Sequence, residues 1–189
     1  MTELYIKNMV CPRCVMAVKD LIARHGLTIV DVVLGLAQVA EDLTPTQTTT
    51  LRNELQSLGF DLLDSPQQQL VEQLRTSIIE WVRQDSEREK ISAHIQNKIA
   101  KDYSLLSKLF SETTGMTIER YCILQRVEYA KELLCYSELT NAEIAFRAGY
   151  ASPAHFSSQF RQETGMTPTT FRQQSGHQSL NSRRYINEI

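Results

Sequence analysis

Residues 102–121 and 152–171 carry one pattern twice, at a fixed offset of 50 positions. Asp102 stands opposite Ser152, Ser107 opposite Ser157 and Phe110 opposite Phe160. Thr114-Gly115-Met116-Thr117 is matched by Thr164-Gly165-Met166-Thr167, and aromatic Tyr121 by aromatic Phe171. Asp and Ser accept hydrogen bonds from the first amides of a helix, and glycine takes the left-handed turn that ends one. Each copy therefore reads as a capped helix, a glycine stop and a following helix whose aromatic packs back. Two copies are too few for a solenoid, so two equivalent helical modules are expected.

The second copy is the clearer. Thr140-Asn141-Ala142-Glu143 is a capping box opening a short helix, Gly149 ends it, and Ser152-Pro153 starts the next. Helix, short turn with glycine, helix is a helix-turn-helix. Ala145 suits the helix crossing, and Ile144, Ala148, Phe156 and Phe160 make the shared core. That leaves Ala154, His155, Ser157, Ser158 and Arg161 facing solvent. Short polar side chains with a flanking Arg suit a helix entering a major groove, where they meet base edges and phosphates. In the first copy, Ile91 to Ile99 precedes Asp102, and Ala100 stands in place of a turn glycine. Ser104, Ser107 and Lys108 are the equivalent exposed positions, beside Leu106, Leu109 and Phe110 as buried ones. Thr117 to Tyr136 predicts a connecting helix with Ile118, Tyr121, Val127, Ala130, Leu133 and Leu134 inward. Its length, roughly 30 Å, is of the order of the ~34 Å between adjacent major-groove faces on one side of B-DNA. One such amphipathic helix alone would read as an ordinary surface helix; the repetition favours DNA binding.

Across roughly residues 67–175, Ile144-Ala145, Gly149-Tyr150, Phe156, Gln159-Phe160-Arg161, Gly165-Met166-Thr167-Pro168 and Phe171-Arg172 resemble the signature of AraC/XylS-type transcriptional regulators. The resemblance implies seven helices, with two helix-turn-helix motifs joined by a long helix, and sequence-specific binding to double-stranded promoter DNA. It places recognition positions on Ser104, Ser107 and Lys108, then on Pro153, Ala154, Ser157 and Ser158. Pro153 and Ala154 cannot make bidentate base contacts. Either His155 and thymine-methyl contacts contribute in the second motif, or the first motif dominates the reading. RNA polymerase and a second copy of the chain are the further candidate partners.

Asp64-Ser65-Pro66-Gln67 separates this part from a β-branched, Val-rich segment. Before it, Leu4–Met9 reads as a strand and Pro12–Arg24 as a helix with Val15, Val18, Leu21 and Ile22 on one face. Residues 28–34 and 36–40 flank Gly35 as strand, tight turn, strand. Thr44-Pro45-Thr46-Gln47 is a second capping box, opening a helix with Leu51, Leu55 and Leu58 inward. Gly59 stops it, and Phe60–Leu63 supplies a last strand. The order is βαββαβ, the split βαβ or ferredoxin-like arrangement. The fold class is therefore α+β. A ferredoxin-like domain spans 1–64, an all-α domain with two helix-turn-helix motifs spans 67–175, and a polar tail over 176–189 is expected to be flexible.

Cys11 and Cys14 sit where a strand turns into a helix. The helix N-terminus should favour their thiolate forms, and two soft sulfurs can reach one ion. Met9-Val10-Cys11-Pro12-Arg13-Cys14, directly after the first strand of a βαββαβ unit, resembles the heavy-metal-associated domains of copper chaperones and metal-pumping ATPases. That resemblance implies Cu(I) held by both cysteines in near-linear geometry, whereas Zn(II) prefers four ligands. Val10 stands where zinc- and lead-selective relatives often offer Asp, so Cu(I) is favoured, with another soft or thiophilic metal as the alternative. Asn8 replaces a usual glycine, and Phe60 is placed near the site as a shield. A thioredoxin-like dithiol would need a larger fold. A degenerate domain kept for dimerisation, its thiols unused, stays open. Cys122 and Cys135 are expected as small buried residues, Met9 as a packed loop residue, and His25, His94 and His177 as structural or solvated.

The 189 residues are 42% hydrophobic and 22% charged, the balance of a globular protein. No stretch reaches the roughly 18 apolar residues of a membrane span, and the first residues lack a signal-peptide core; a cytoplasmic protein without a membrane partner is expected. A net charge of -2 gives no global attraction to nucleic acid. Residues 1–64 carry five Lys/Arg against eight Asp/Glu. Lys98, Lys101, Lys108, Arg147, Arg161 and Arg172 would have to meet phosphates. No arrangement of nucleophile and base, paired carboxylates or phosphate-cradling glycines occurs at usable spacing, so no catalysis is expected. The combined expectation is a one-component regulator with metal as signal and DNA as output, and the stretch from Gln67 to Val82, with Leu70, Leu74, Ile78 and Trp81, as the bearing. Its competitors are a metal-indifferent regulator and a copper chaperone or buffer with a helical docking module.

Overall fold

The computed structural model describes residues 1–84 and 89–175; the tail over 176–189, with His177, lies outside the described residues. The chain divides into two compact units, Met1–Thr76 and Ser77–Ile189. The division falls inside α3 (Pro66–Val82) rather than at residues 64–67. The reason is that the first turns of α3 pack on the first unit: the Asn8 amide donates to Glu72 Oε1 at 3.3 Å, and Thr76 lies against Gly35.

The first unit begins β1 (Thr2–Lys7), α1 (Pro12–Arg24), β2 (Ile29–Val33), β3 (Leu36–Val39), α2 (Pro45–Ser57), β4 (Asp61–Leu62). The strands lie in the order β2-β3-β1-β4, every pair antiparallel. β1 starts two residues before the expected Leu4 because Thr2 pairs with Val39 across the ladder. Gly35 turns the β2–β3 hairpin at φ +76°, and a Cβ there would meet Thr76 Cγ2 at 2.7 Å. Both Thr44 and Gln47 make their capping-box bonds at the head of α2. Ile6, Met9, Val18, Leu21, Ile22, Ala37, Val39, Leu51 and Leu55 are buried between the sheet and the two helices. Leu58, expected in that stripe, is 48% exposed, since it caps α2 beyond its last packed turn.

In the second unit α3 is followed by α4 (Ile91–Ile99), α5 (Tyr103–Thr114), α6 (Ile118–Tyr136), α7 (Asn141–Arg147), α8 (Pro153–Thr164) and α9 (Pro168–Ser175). The 50-residue offset is kept in three dimensions. Asp102 caps α5 as Ser152 caps α8, and Gly115 and Gly165 end them at φ +73° and +76°. Thr114 Oγ1 donates to Phe110 O at 2.7 Å, and Thr164 Oγ1 to Phe160 O at the same distance. Phe110 meets Tyr121 at 5.4 Å between ring centroids, and Phe160 meets Phe171 at 5.5 Å. Ala100 ends α4 in the left-handed region at φ +52°, the conformation a glycine adopts without strain.

α5, α7, α8 and α9 all pack on α6. Val127, Ala130, Leu134, Ile144, Ala145, Ala148, Phe156 and Phe160 share one core. Leu109 and Leu133 are only half-buried, as is Leu70 on α3. Cys122 is buried as expected, but Cys135 is exposed, although its neighbour Leu134 lies in the core.

Candidate nucleic-acid interface and thiol pair

Each outward helix is held at its N-terminus. The Asp102 carboxylate accepts from the amides of Ser104 at 2.9 Å and Leu105 at 3.2 Å, and the Ser104 hydroxyl donates to the same oxygen. That hydroxyl and the amides hold the Asp102 carboxyl below its ordinary range. Ser104, expected to meet a base, therefore has its donor turned back onto the cap. Lys108 is exposed, with its ammonium 3.9 Å from Glu112, a surface pair of little strength that leaves it available to an anion. Ser107 is half-buried; its neighbour Leu105 is 59% exposed. An apolar residue in that position is not expected outside; the sequence signal for Leu105 is its offset of 50 from exposed His155.

On α8, Ser152 Oγ accepts from the His155 amide at 3.2 Å, and Pro153 occupies the first turn, where no amide donor is required. Pro153, Ala154, His155, Ser158 and Arg161 are exposed, and Ser157 is half-buried. The His155 ring sits edge-on to Tyr150 at 5.5 Å. Two bonds of 2.5 and 2.7 Å from Arg120 to Glu163 tie α6 to α8. Asn141 Nδ2 donates to Thr169 Oγ1 at 2.9 Å, joining α7 to α9. Neither link has a sequence signal, since its partners are 43 and 28 residues apart.

Of the candidate phosphate contacts, Lys101, Lys108, Arg147 and Arg161 are exposed. Lys98 pairs with Glu80 at 2.5 Å. Arg172 is half-buried and donates to Leu139 O at 2.5 Å, which makes it a brace for the loop before α7 rather than a reach toward DNA.

In the first unit Cys11 is the N-cap residue of α1, and its carbonyl accepts from the Cys14 amide at 2.9 Å. This turn brings the two sulfurs to 3.4 Å, with Cys11 buried and Cys14 half-buried. The Cys14 thiol is pushed up, first by its hydrogen bond with Cys11 and then by burial, which outweigh the amides of Val10 and Cys11. The helix N-terminus, expected to favour the thiolate forms, is outweighed at Cys14 by that hydrogen bond and by burial. No cluster of three or more His, Cys, Asp or Glu suited to a metal occurs among the described residues. Asn8 takes φ +74°, the left-handed conformation a glycine would supply, and its Nδ2 donates to Gly59 O at 3.0 Å. Met9 is fully buried and Phe60 is 8% exposed in the same core. His25 Nε2 lies 3.1 Å from Glu54 and His94 Nδ1 3.4 Å from Glu89, so each faces a carboxylate.

Two helix pairs, α4–α5 and α7–α8, flank the long helix α6, and residues 97–174 match the helix-turn-helix domain family. The chain is 45% identical over 71 residues to the HTH-type transcriptional activator RhaR of Cronobacter sakazakii, covering 38% of this chain and 25% of the relative. It is 27% identical over 97 residues to the HTH-type transcriptional activator RhaS of Yersinia pestis, covering 51% of this chain and 36% of the relative. The chain thus spans about a quarter to a third of the length of these curated relatives. A DNA-binding transcriptional dual regulator from Escherichia coli K-12 shares the fold, with a TM-score of 0.50 and 23% identity over 58% of this chain and 94% of that one. No described helix is long and apolar enough to cross a membrane.

Proposed function

We propose that the protein is a transcriptional regulator that binds duplex promoter DNA through α5 and α8, with a soft metal ion at Cys11 and Cys14 as its signal. The observation that carries the reading is the repetition of N-caps and glycine stops at a 50-residue offset, within the segment that matches the helix-turn-helix family. An α6 of 19 residues is about 28 Å long, close to the spacing of successive major-groove faces. The names of the RhaR and RhaS relatives favour activation, and with it RNA polymerase as a partner.

The element order βαββαβ and the strand order β2-β3-β1-β4 of the first unit support the ferredoxin-like, heavy-metal-associated reading. Two soft sulfurs 3.4 Å apart at a helix head, with no larger cluster among the described residues, suit a low-coordinate ion such as Cu(I) better than four-coordinate zinc. When bound, such an ion would supply charge and a fixed geometry to the loop that Asn8 begins. An ion acts as a signal only if it binds two arrangements of the protein unequally. α3 is the element common to both units: its Glu72 holds the Asn8 amide in the first, and its Trp81 donates to Glu89 O at 2.9 Å in the second.

Fluorescence anisotropy of labelled DNA from the chain's own upstream region tests the reading, with reduced protein at fixed salt, with and without one equivalent of Cu(I). Specific binding whose affinity moves with Cu(I), and no longer moves after Cys11→Ser with Cys14→Ser, is the expected result. Affinity indifferent to Cu(I) would remove Cu(I) as the affinity switch and leave a regulator whose first unit serves dimerisation or answers to a different metal. Failure to discriminate this DNA from random duplex would overturn DNA reading at that site.

A further inference from the structure

We infer that Leu105 is a base-reading residue of α5, packing on the 5-methyl group of a thymine in the major groove; this rests on the DNA-binding reading above. Leu105 is 59% exposed, a large apolar side chain in the first turn of the helix that Asp102 caps. Its amide is held by the Asp102 carboxylate at 3.2 Å, so the side chain leaves a fixed backbone position. N-terminal residues of a recognition helix are the ones that reach base edges. Leu105 lies one turn before exposed Lys108, on the same side of α5.

Three features make an apolar contact the chemistry of this position. Ser104, beside it, has its hydroxyl donated to Asp102 and offers no free donor to a base. Tyr103 and Leu109 are only partly exposed and Ser104 and Lys108 are polar, so Leu105 is the large apolar side chain that α5 leaves exposed. The equivalent residue of the second copy, 50 positions on, is exposed His155, so the same place on the two helices carries an apolar group once and a hydrogen-bonding one once. The thymine methyl is the one apolar group that distinguishes base pairs in the major groove. The two half-sites should therefore differ, with a required thymine on the α5 side at the Leu105 position.

The test uses the whole 189-residue chain and duplexes selected from a random pool. In the selected site each thymine is replaced singly by uracil, which removes the methyl and keeps the pairing edge. The wild-type chain should lose roughly three- to tenfold in affinity at one thymine. Leu105→Ala should abolish that loss while His155→Ala leaves it intact. Loss factors unchanged by Leu105→Ala, in a protein that still selects the same site, would overturn the Leu105 assignment and leave the regulator reading standing. If the wild-type chain selects no sequence, both fall together. Leu105 is exposed, so its truncation leaves no cavity to confuse the comparison.

Discussion

Asn8 and Glu72 show how single residues carry the conformational demands of the thiol loop. The loop needs a left-handed residue at position 8; asparagine, which tolerates that region better than most, takes it at φ +74° and binds Gly59 O with its side chain. Asn8 was visible in the sequence as a departure from glycine, but its partner Glu72 was not, being 64 residues away. Glu72 is 4% exposed, and burial raises its carboxyl more than Arg75, the Asn8 amide and Lys7 lower it. A carboxyl raised by folding binds its proton more tightly in the native state. Its contribution to stability is present below the ordinary carboxylate range and is lost as pH rises through the raised value. Glu72→Gln keeps an oxygen for the Asn8 amide and removes the charge. It should raise the urea midpoint at neutral pH and leave it unchanged at acid pH; a neutral-pH midpoint lowered by this variant would show that the charge is fully compensated.

At the scale of elements, capping residues were legible because they act on amides two or three positions away. Thr44, Thr140, Asp102 and Ser152 all cap where expected. α6 was less legible. It is covered by α5, α7, α8 and α9, so its buried residues, Cys122 and Gln125 among them, do not follow one stripe. The two copies also differ in one turn: Gly149 follows α7 at φ +80°, whereas Ala100 ends α4 at φ +52°. An alanine there carries a Cβ penalty that glycine lacks. Ala100→Gly should stabilise the protein by about 0.5–1 kcal/mol after the cost of glycine's greater freedom when unfolded, measured by urea denaturation. A destabilised variant would mean that the turn does not hold this strain.

At the scale of the whole molecule, a net charge of -2 means that DNA affinity must come from local cations. If Lys101, Lys108, Arg147 and Arg161 each meet one phosphate, log K should fall against log salt with a slope of roughly -3 to -4, and Lys108→Ala should reduce that slope by about 1. A slope unchanged by Lys108→Ala would place that ammonium off the backbone. The sequence by itself determined the modules, their caps and glycine stops, the 50-residue equivalence of α5 and α8, and the adjacency of Cys11 and Cys14, because these depend on interactions within a few residues. Tertiary structure decided which equivalent positions stay outside. It left Leu105 and Leu58 exposed, drew Arg172 onto Leu139 O, tied Arg120 to Glu163 and set Glu72 beside the thiol loop. Those outcomes depend on which surfaces meet when distant segments pack, and local sequence spacing carries no record of that.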